Sequence, residues 1–286
     1  MSQLISKLTR PEKMILAALM VVAPTNGNPF PRRLLGKHTF TPSTYLANQF
    51  FTLLVNKNIV QLETDKPLPQ KNNQASSFAP NSLLKLSVEN SPQSFSGLLE
   101  GLELGQHNWN QDEEIEKLLG QVLVDECMMF LYEISAIDIS CYKGIDSVTT
   151  CLRDILSNRN LSETYMLLWR AVNDSNPIEE RFYYLRGNAS TRVERVVQKA
   201  YQFHLEYKKA HKAIKPFVRK ATHQTSSITL LLMEELFGLG SAYHSYPTPF
   251  LSSTGDCETN FLSEDERAYL SYDIPHWLDK SKQHLA

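Results

Sequence analysis

The stretch Thr41-Pro42-Ser43-Thr44-Tyr45-Leu46-Ala47-Asn48-Gln49-Phe50-Phe51-Thr52-Leu53-Leu54-Val55-Asn56-Lys57-Asn58-Ile59-Val60-Gln61-Leu62-Glu63 changes its period part-way along. Leu46, Phe50, Leu53 and Leu54 recur at helical spacing, so its first half reads as a helix with one apolar face. Thr41 suits the cap of that helix and Pro42 its first position. The opposite face offers Ser43, Thr44, Asn48 and Gln49, with Tyr45 near its edge. Asn56-Lys57-Asn58 interrupts the pattern, and residues 59–63 then read as a short strand.

Outward from this passage the same logic continues. Upstream, residues 11–23 read as a helix that opens on Pro11, with Ile15, Leu16, Leu19 and Met20 at helical spacing. Pro24-Thr25-Asn26-Gly27-Asn28-Pro29 is a dense run of turn residues. A short helix is expected over residues 31–37. Downstream, residues 66–81 are rich in Pro, Asn, Gln and Ser and read as a loop, and residues 83–88 as a second strand.

Three helices followed by a two-stranded hairpin with a long tip resemble the winged helix-turn-helix architecture. The resemblance covers about the first 90 residues. It rests on element order and on the passage Leu53-Leu54-Val55-Asn56-Lys57-Asn58-Ile59-Val60-Gln61-Leu62. The loop over residues 66–81 is longer than a usual wing. The resemblance implies that the third helix enters a DNA major groove, with the wing against the backbone. Ser43, Thr44, Tyr45, Asn48 and Gln49 are then the readers. Asn and Gln can pair bidentately with adenine, and short hydroxyl residues can donate to phosphate or base. Arg32, Arg33, Lys37, Lys66 and Lys71 are the candidates for binding phosphates and releasing counterions.

Charge supports a local reading of this kind more than the whole-chain value does. The 286 residues carry 29 Lys and Arg against 31 Asp and Glu, a net charge of −2. Resolved along the chain, that value conceals blocks. Residues 1–73 hold nine bases and three acids, and residues 89–138 one base and eleven acids. Residues 181–220 hold eleven bases and two acids, and residues 256–279 one base and seven acids. Such blocks are most often solvated faces, or neutralise one another within a fold. The first one coincides with the winged-helix-like module.

From about residue 95 the chain reads as helices with little strand. Gly97, Gly101 and Gly105 stand four apart, a spacing that on a helix permits close backbone approach. Residues 111–136 are amphipathic with an acidic first turn, which complements the helix dipole. Shorter helices are expected near 145–158, 162–173 and 176–186. Residues 191–214 give the clearest pattern. Thr191 and Glu194 match a capping box, and Val193, Val197, Ala200, His204, Tyr207, His211 and Ile214 form a seam that Pro216 stops. Residues 228–239 add an apolar helix, and the aromatic tail over 269–277 is expected to dock on the bundle.

The sequence carries few marks of catalytic chemistry. Gly36-Lys37-His38-Thr39 lacks the first glycine and the preceding strand of a phosphate loop, and no dinucleotide fingerprint, nucleophile elbow or His-Glu-x-x-His occurs. His204 and His211 stand seven apart, too far to share a metal on a straight helix, and read as seam residues. Glu113, Glu114 and Glu116 have an ordinary explanation at a helix start, and Asp273 with His276 has no nucleophile beside it. Cys127, Cys141, Cys151 and Cys257 contain no Cys-x-x-Cys and read as reduced thiols. No run approaches the roughly 18 apolar residues of a membrane span. The apolar run from residue 14 has Glu12 at its edge and no cleavage site after it, so it reads as a buried helix and not a signal peptide.

The expectation is a mainly α chain with a winged-helix-like domain over 1–90 and a helical bundle domain over 91–286. Its expected role is DNA binding, as a transcriptional regulator with an oligomerisation or effector domain. The alternative is a non-catalytic interaction subunit whose winged helix contacts protein. No cofactor or metal, no membrane partner and a cytoplasmic location are expected.

Overall fold

A computed structural model describes residues 2–24, 28–31, 40–63, 83–102, 112–137, 139, 146–174, 189–218 and 225–237. The chain is mainly helical. Its described helices are α1 (Ser2–Ile5), α2 (Arg10–Val22), α3 (Thr44–Asn56), α4 (Pro92–Glu100), α5 (Glu113–Ser135), α6 (Asp146–Asn158), α7 (Leu161–Asn173), α8 (Ala189–Lys209) and α9 (Ser227–Phe237). Its strands are β1 (Phe30–Pro31), β2 (Val60–Glu63) and β3 (Leu83–Leu86). The expected helices over 31–37 and 176–186, the loop over 66–81 and the tail over 269–277 lie outside the described residues, except that Pro31 belongs to β1.

Contacts divide the chain into two compact units. The first comprises residues 1–118 with 224–241 and 265–286, and the second residues 119–223 with 242–264. The first unit thus takes in α4, the start of α5 and α9 beyond the expected domain over 1–90.

The first unit is built around α2. Thr9 caps it through a reciprocal pair, in which Glu12 N–H donates to Thr9 Oγ1 and Thr9 N–H to Glu12 Oε2. Every residue from Met14 to Met20 is buried. A helix apolar on all sides must be covered on all sides, and α2 packs against α9, α4 and α3. The cover from α9 is fastened by its first turn. Ser227 Oγ lies 2.9 Å from the Ala18 carbonyl and 3.2 Å from that of Phe40, and Ile228 N–H donates to the Phe40 carbonyl at 3.2 Å. Gly97 of α4 meets nothing within 4 Å where a Cβ would stand, so it does not serve close packing; a Cβ at Gly101 would meet the Gly97 carbonyl at 3.3 Å, and Gly105 lies outside the described residues.

The sheet is antiparallel with order β1-β3-β2. Val60 pairs with Leu86 and Leu62 with Leu84. Alternation buries Val60, Leu84 and Leu86 and exposes Gln61, Glu63, Leu83 and Lys85. Where the sequence suggests a two-stranded hairpin, β1 adds a third strand on the free edge of β3. Pro31, which has no N–H to donate, is tolerated at such an edge.

In the second unit α8 packs against both α6 and α7. Asn160 caps α7 in a reciprocal pair with Glu163. Arg170 of α7 lies 4.3 Å from the centre of the Phe203 ring, donates to Tyr207 Oη at 3.0 Å, and pairs with Asp174 at 3.0 Å. One cation therefore ties two helices together. Phe130 stacks on Tyr165 at 4.3 Å and meets Phe217 edge-on at 5.0 Å.

Two helix ends depart from what the pattern implies. The seam predicts that α8 runs to residue 214, yet it ends at Lys209. His211 adopts φ +50°, with His211 N–H bonded to the Lys208 carbonyl and Lys212 N–H to that of Tyr207, which is a Schellman closure without glycine. The chain then turns so that Ile214 is buried and Phe217 N–H reaches the Ser162 carbonyl. Tertiary burial overrides the repeat. Helix α5 ends similarly on Ala136, at φ +53°, whose N–H bonds the Tyr132 carbonyl. Alanine carries a Cβ into the left-handed region and is exposed here. Ala136→Gly is therefore expected to stabilise the chain by about 0.5–1 kcal/mol, read as a raised urea midpoint at unchanged slope.

Candidate nucleic-acid interface

Ser43, not Thr41, caps α3. Its Oγ accepts from Leu46 N–H at 3.2 Å, while Thr41 Oγ1 donates to the Ser43 carbonyl at 2.7 Å and so fixes the approach to the helix. Both hydroxyl residues are buried. Ser43, expected among the readers, is thus held in the helix start by its capping bond.

The other expected readers lie together on α3. Thr44 and Gln49 are exposed, and Tyr45 and Asn48 half-buried. Positions 44, 45, 48, 49 and 52 lie within less than half the helix circumference, and Leu46, Phe50 and Leu54 are buried on the other side. Phe51, which falls outside the expected apolar face, is fully buried against Phe40, with ring centres 5.3 Å apart. The polar face is internally ordered: Gln49 Nε2 donates to Tyr45 Oη at 2.6 Å, and Thr52 Oγ1 to the Asn48 carbonyl at 2.8 Å.

Chain reversal after α3 is local. Asn58 stands at φ +60°, its N–H on the Val55 carbonyl and the Ile59 N–H on that of Leu54, both at 2.9 Å. Asn tolerates the left-handed region better than other side-chain-bearing residues. That turn leads straight into β2, which packs on α3. Helix and hairpin are thereby held in one arrangement.

Arg32, Arg33, Lys37, Lys66 and Lys71 lie outside the described residues. Three other bases of the N-terminal block have protein partners. Lys57 pairs with Glu12 at 3.0 Å, Arg10 with Asp112 at 3.3 Å, and Lys13 Nζ donates to the Gly101 carbonyl at 3.1 Å.

No family model matches the chain, and no curated protein or solved structure matches it either.

For catalysis or metal binding, the described residues offer little. Among them no group of three His, Cys, Asp or Glu side chains could hold a metal ion. Cys127 and Cys151 are in no disulfide, and burial, then Asp154 and Glu194, pushes the Cys151 thiol up, away from the nucleophilic thiolate. No described helix is long and apolar enough to cross a membrane.

Proposed function

We propose that the first unit binds double-stranded DNA as a winged helix-turn-helix, with α3 as the reading helix and the β2–β3 connection as the wing. The chain then acts as a sequence-reading or structural DNA-binding protein of the kind that regulates transcription, and its second unit serves oligomerisation or an effector. One observation carries the reading: Thr44, Tyr45, Asn48 and Gln49 share an accessible polar face on a helix whose other side is buried and which leads directly into an antiparallel hairpin. Asn and Gln on such a face match the donor and acceptor pattern of adenine in the major groove, and Arg32, Arg33, Lys37, Lys66 and Lys71 supply phosphate contacts.

Binding to a random-sequence duplex, followed by fluorescence anisotropy across salt concentrations, tests the reading. Affinity is expected to fall linearly on a double-logarithmic plot. Charge reversal at Arg32→Glu and Arg33→Glu is expected to lower the slope by about 1.8, the loss of two phosphate contacts. Asn48→Ala with Gln49→Ala is expected to leave that slope alone and cost about 1–3 kcal/mol of discrimination per lost bidentate pair on a selected site. An unchanged affinity and slope for the Arg32, Arg33 variant would sink the proposal.

A second reading, a non-catalytic interaction subunit, draws on the internal partners of Arg10, Lys13 and Lys57, which remove three bases from any phosphate-facing surface. Under it, the chain co-purifies from its host with a stoichiometric protein and no nucleic acid.

A further inference from the structure

The second unit holds a cleft of about 410 Å³ at the lower end of α8. Asn158 closes α6, Arg159 joins it to the cap of α7, and His204, Tyr207 and Lys208 come from the last turns of α8. His211 and Lys212 complete it from the left-handed turn beyond. Three of these side chains are fixed cations, and no carboxylate is among the lining residues.

Two polar groups in this cleft have no protein partner. His204 is 0% exposed, and neither ring nitrogen has a hydrogen-bond partner. Arg159 Nε is likewise buried and unpartnered, although its Nη1 stands 3.8 Å from Glu163. Burial, then the Arg159 charge, lowers the His204 pKa, so at neutral pH the ring is uncharged and offers one donor and one acceptor. Lys208 Nζ donates to Asn158 Oδ1 at 3.0 Å, which leaves two of its three hydrogens for another acceptor. Lys208 at a helix C-terminus has an ordinary role against the helix dipole. That role does not account for the orphaned N–H of the His204 ring and the Nε–H of Arg159, which call for an acceptor from outside the chain.

We infer that this cleft binds the phosphate group of a small phosphorylated molecule. Phosphate presents several strong acceptor oxygens at once, and Arg Nε, a lysine ammonium and an imidazole N–H are its usual donors. The volume lies in the range of small-molecule pockets and exceeds what a bare phosphate fills, so the ligand carries an organic part that lies along Tyr207 and His211. The site stands independently of DNA binding by the first unit.

Isothermal titration of the full chain with inorganic phosphate and with phenyl phosphate, at constant ionic strength in chloride, tests the assignment. Both are expected to bind saturably, phenyl phosphate the more tightly. Lys208 and Lys212 are exposed, so Lys208→Gln with Lys212→Gln should fold normally and lose at least tenfold in affinity for both probes. Arg159→Gln should lose as much, with an unchanged thermal transition in chloride for the lysine variant as the folding control. Failure of either probe to saturate overturns the proposal, as does equal binding by the lysine variant. Phenyl phosphate binding no tighter than phosphate would refute the organic part. Displacement of bound phosphate by a short duplex would put a nucleic-acid backbone in the cleft and refute the small ligand.

Discussion

Asn90→Leu is expected to destabilise the first unit by about 3 kcal/mol, one of the two largest single-residue effects anticipated. Asn90 follows β3 and is 3% exposed. Its Nδ2 lies 3.1 Å from the Met20 carbonyl, 3.0 Å from Ala23 and 3.3 Å from Pro24. Met20 lies in the last turn of α2 and Ala23 and Pro24 just beyond it, where the helix itself supplies no donors. One side-chain amide therefore stands in for the missing turn, across some seventy residues of sequence. Leucine keeps most of the volume and removes both hydrogens. Each buried carbonyl left without a donor costs about 1–3 kcal/mol, and two hydrogens are lost. The measurement is amide exchange in α2, whose protection should fall by about 100-fold if its opening becomes 3 kcal/mol easier. Asn90→Asp should be no better, because a carboxylate accepts and cannot donate. A cost below about 1 kcal/mol for the leucine variant would mean that water reaches these carbonyls, and the clamp would lose its role.

What the sequence made legible divides along the range of the interactions concerned. Helices α5, α6 and α7 lie within a residue or two of their expected bounds because caps and apolar period are local signals. The polar face of α3 was legible for the same reason, since positions 44, 45, 48 and 49 share a side of any straight helix. Strand β1 was not, because two residues hold no period and its pairing partner Leu84 comes from β3. The place of α9 was not legible either, since it rests on Ser227 reaching a carbonyl 209 positions away. Charge behaved likewise. Counting bases located the N-terminal block, yet the partners of Arg10 and Lys13 lie far along the chain, and only the fold reveals that those cations are engaged. In the cleft, His204 is buried as the seam implies, whereas His211 is exposed at the turn that ends α8. Arg159 sits alone in the sequence, and nothing short of the packing of α6 and α7 on α8 brings it to Lys208.

Phe130→Ala is expected to cost the second unit about 3–5 kcal/mol. The ring is 1% exposed on α5, stacks on Tyr165 of α7 with planes 22° apart, and receives Phe217 edge-on. Truncation forfeits the buried area and leaves a cavity that two aromatic neighbours bound, so collapse is restricted. The consequence reaches the cleft. Phe217 anchors the segment after α8, together with its N–H bond to the Ser162 carbonyl, and that segment begins at His211 and Lys212. With the Phe130 ring gone, Phe217 loses its nearer ring contact and keeps the one with Trp169, ring centres 6.3 Å apart, so the segment frees itself at less cost. Phosphate affinity in the cleft should therefore weaken in Phe130→Ala even under conditions where the unit stays folded. Phe130→Leu refills part of the space and should recover at least half of the stability and most of the affinity. Urea denaturation followed by far-ultraviolet circular dichroism gives the first quantity and phosphate titration the second. A stability loss of the expected size with unaltered phosphate affinity would show that the cleft keeps its shape without help from the Phe130–Phe217 contact.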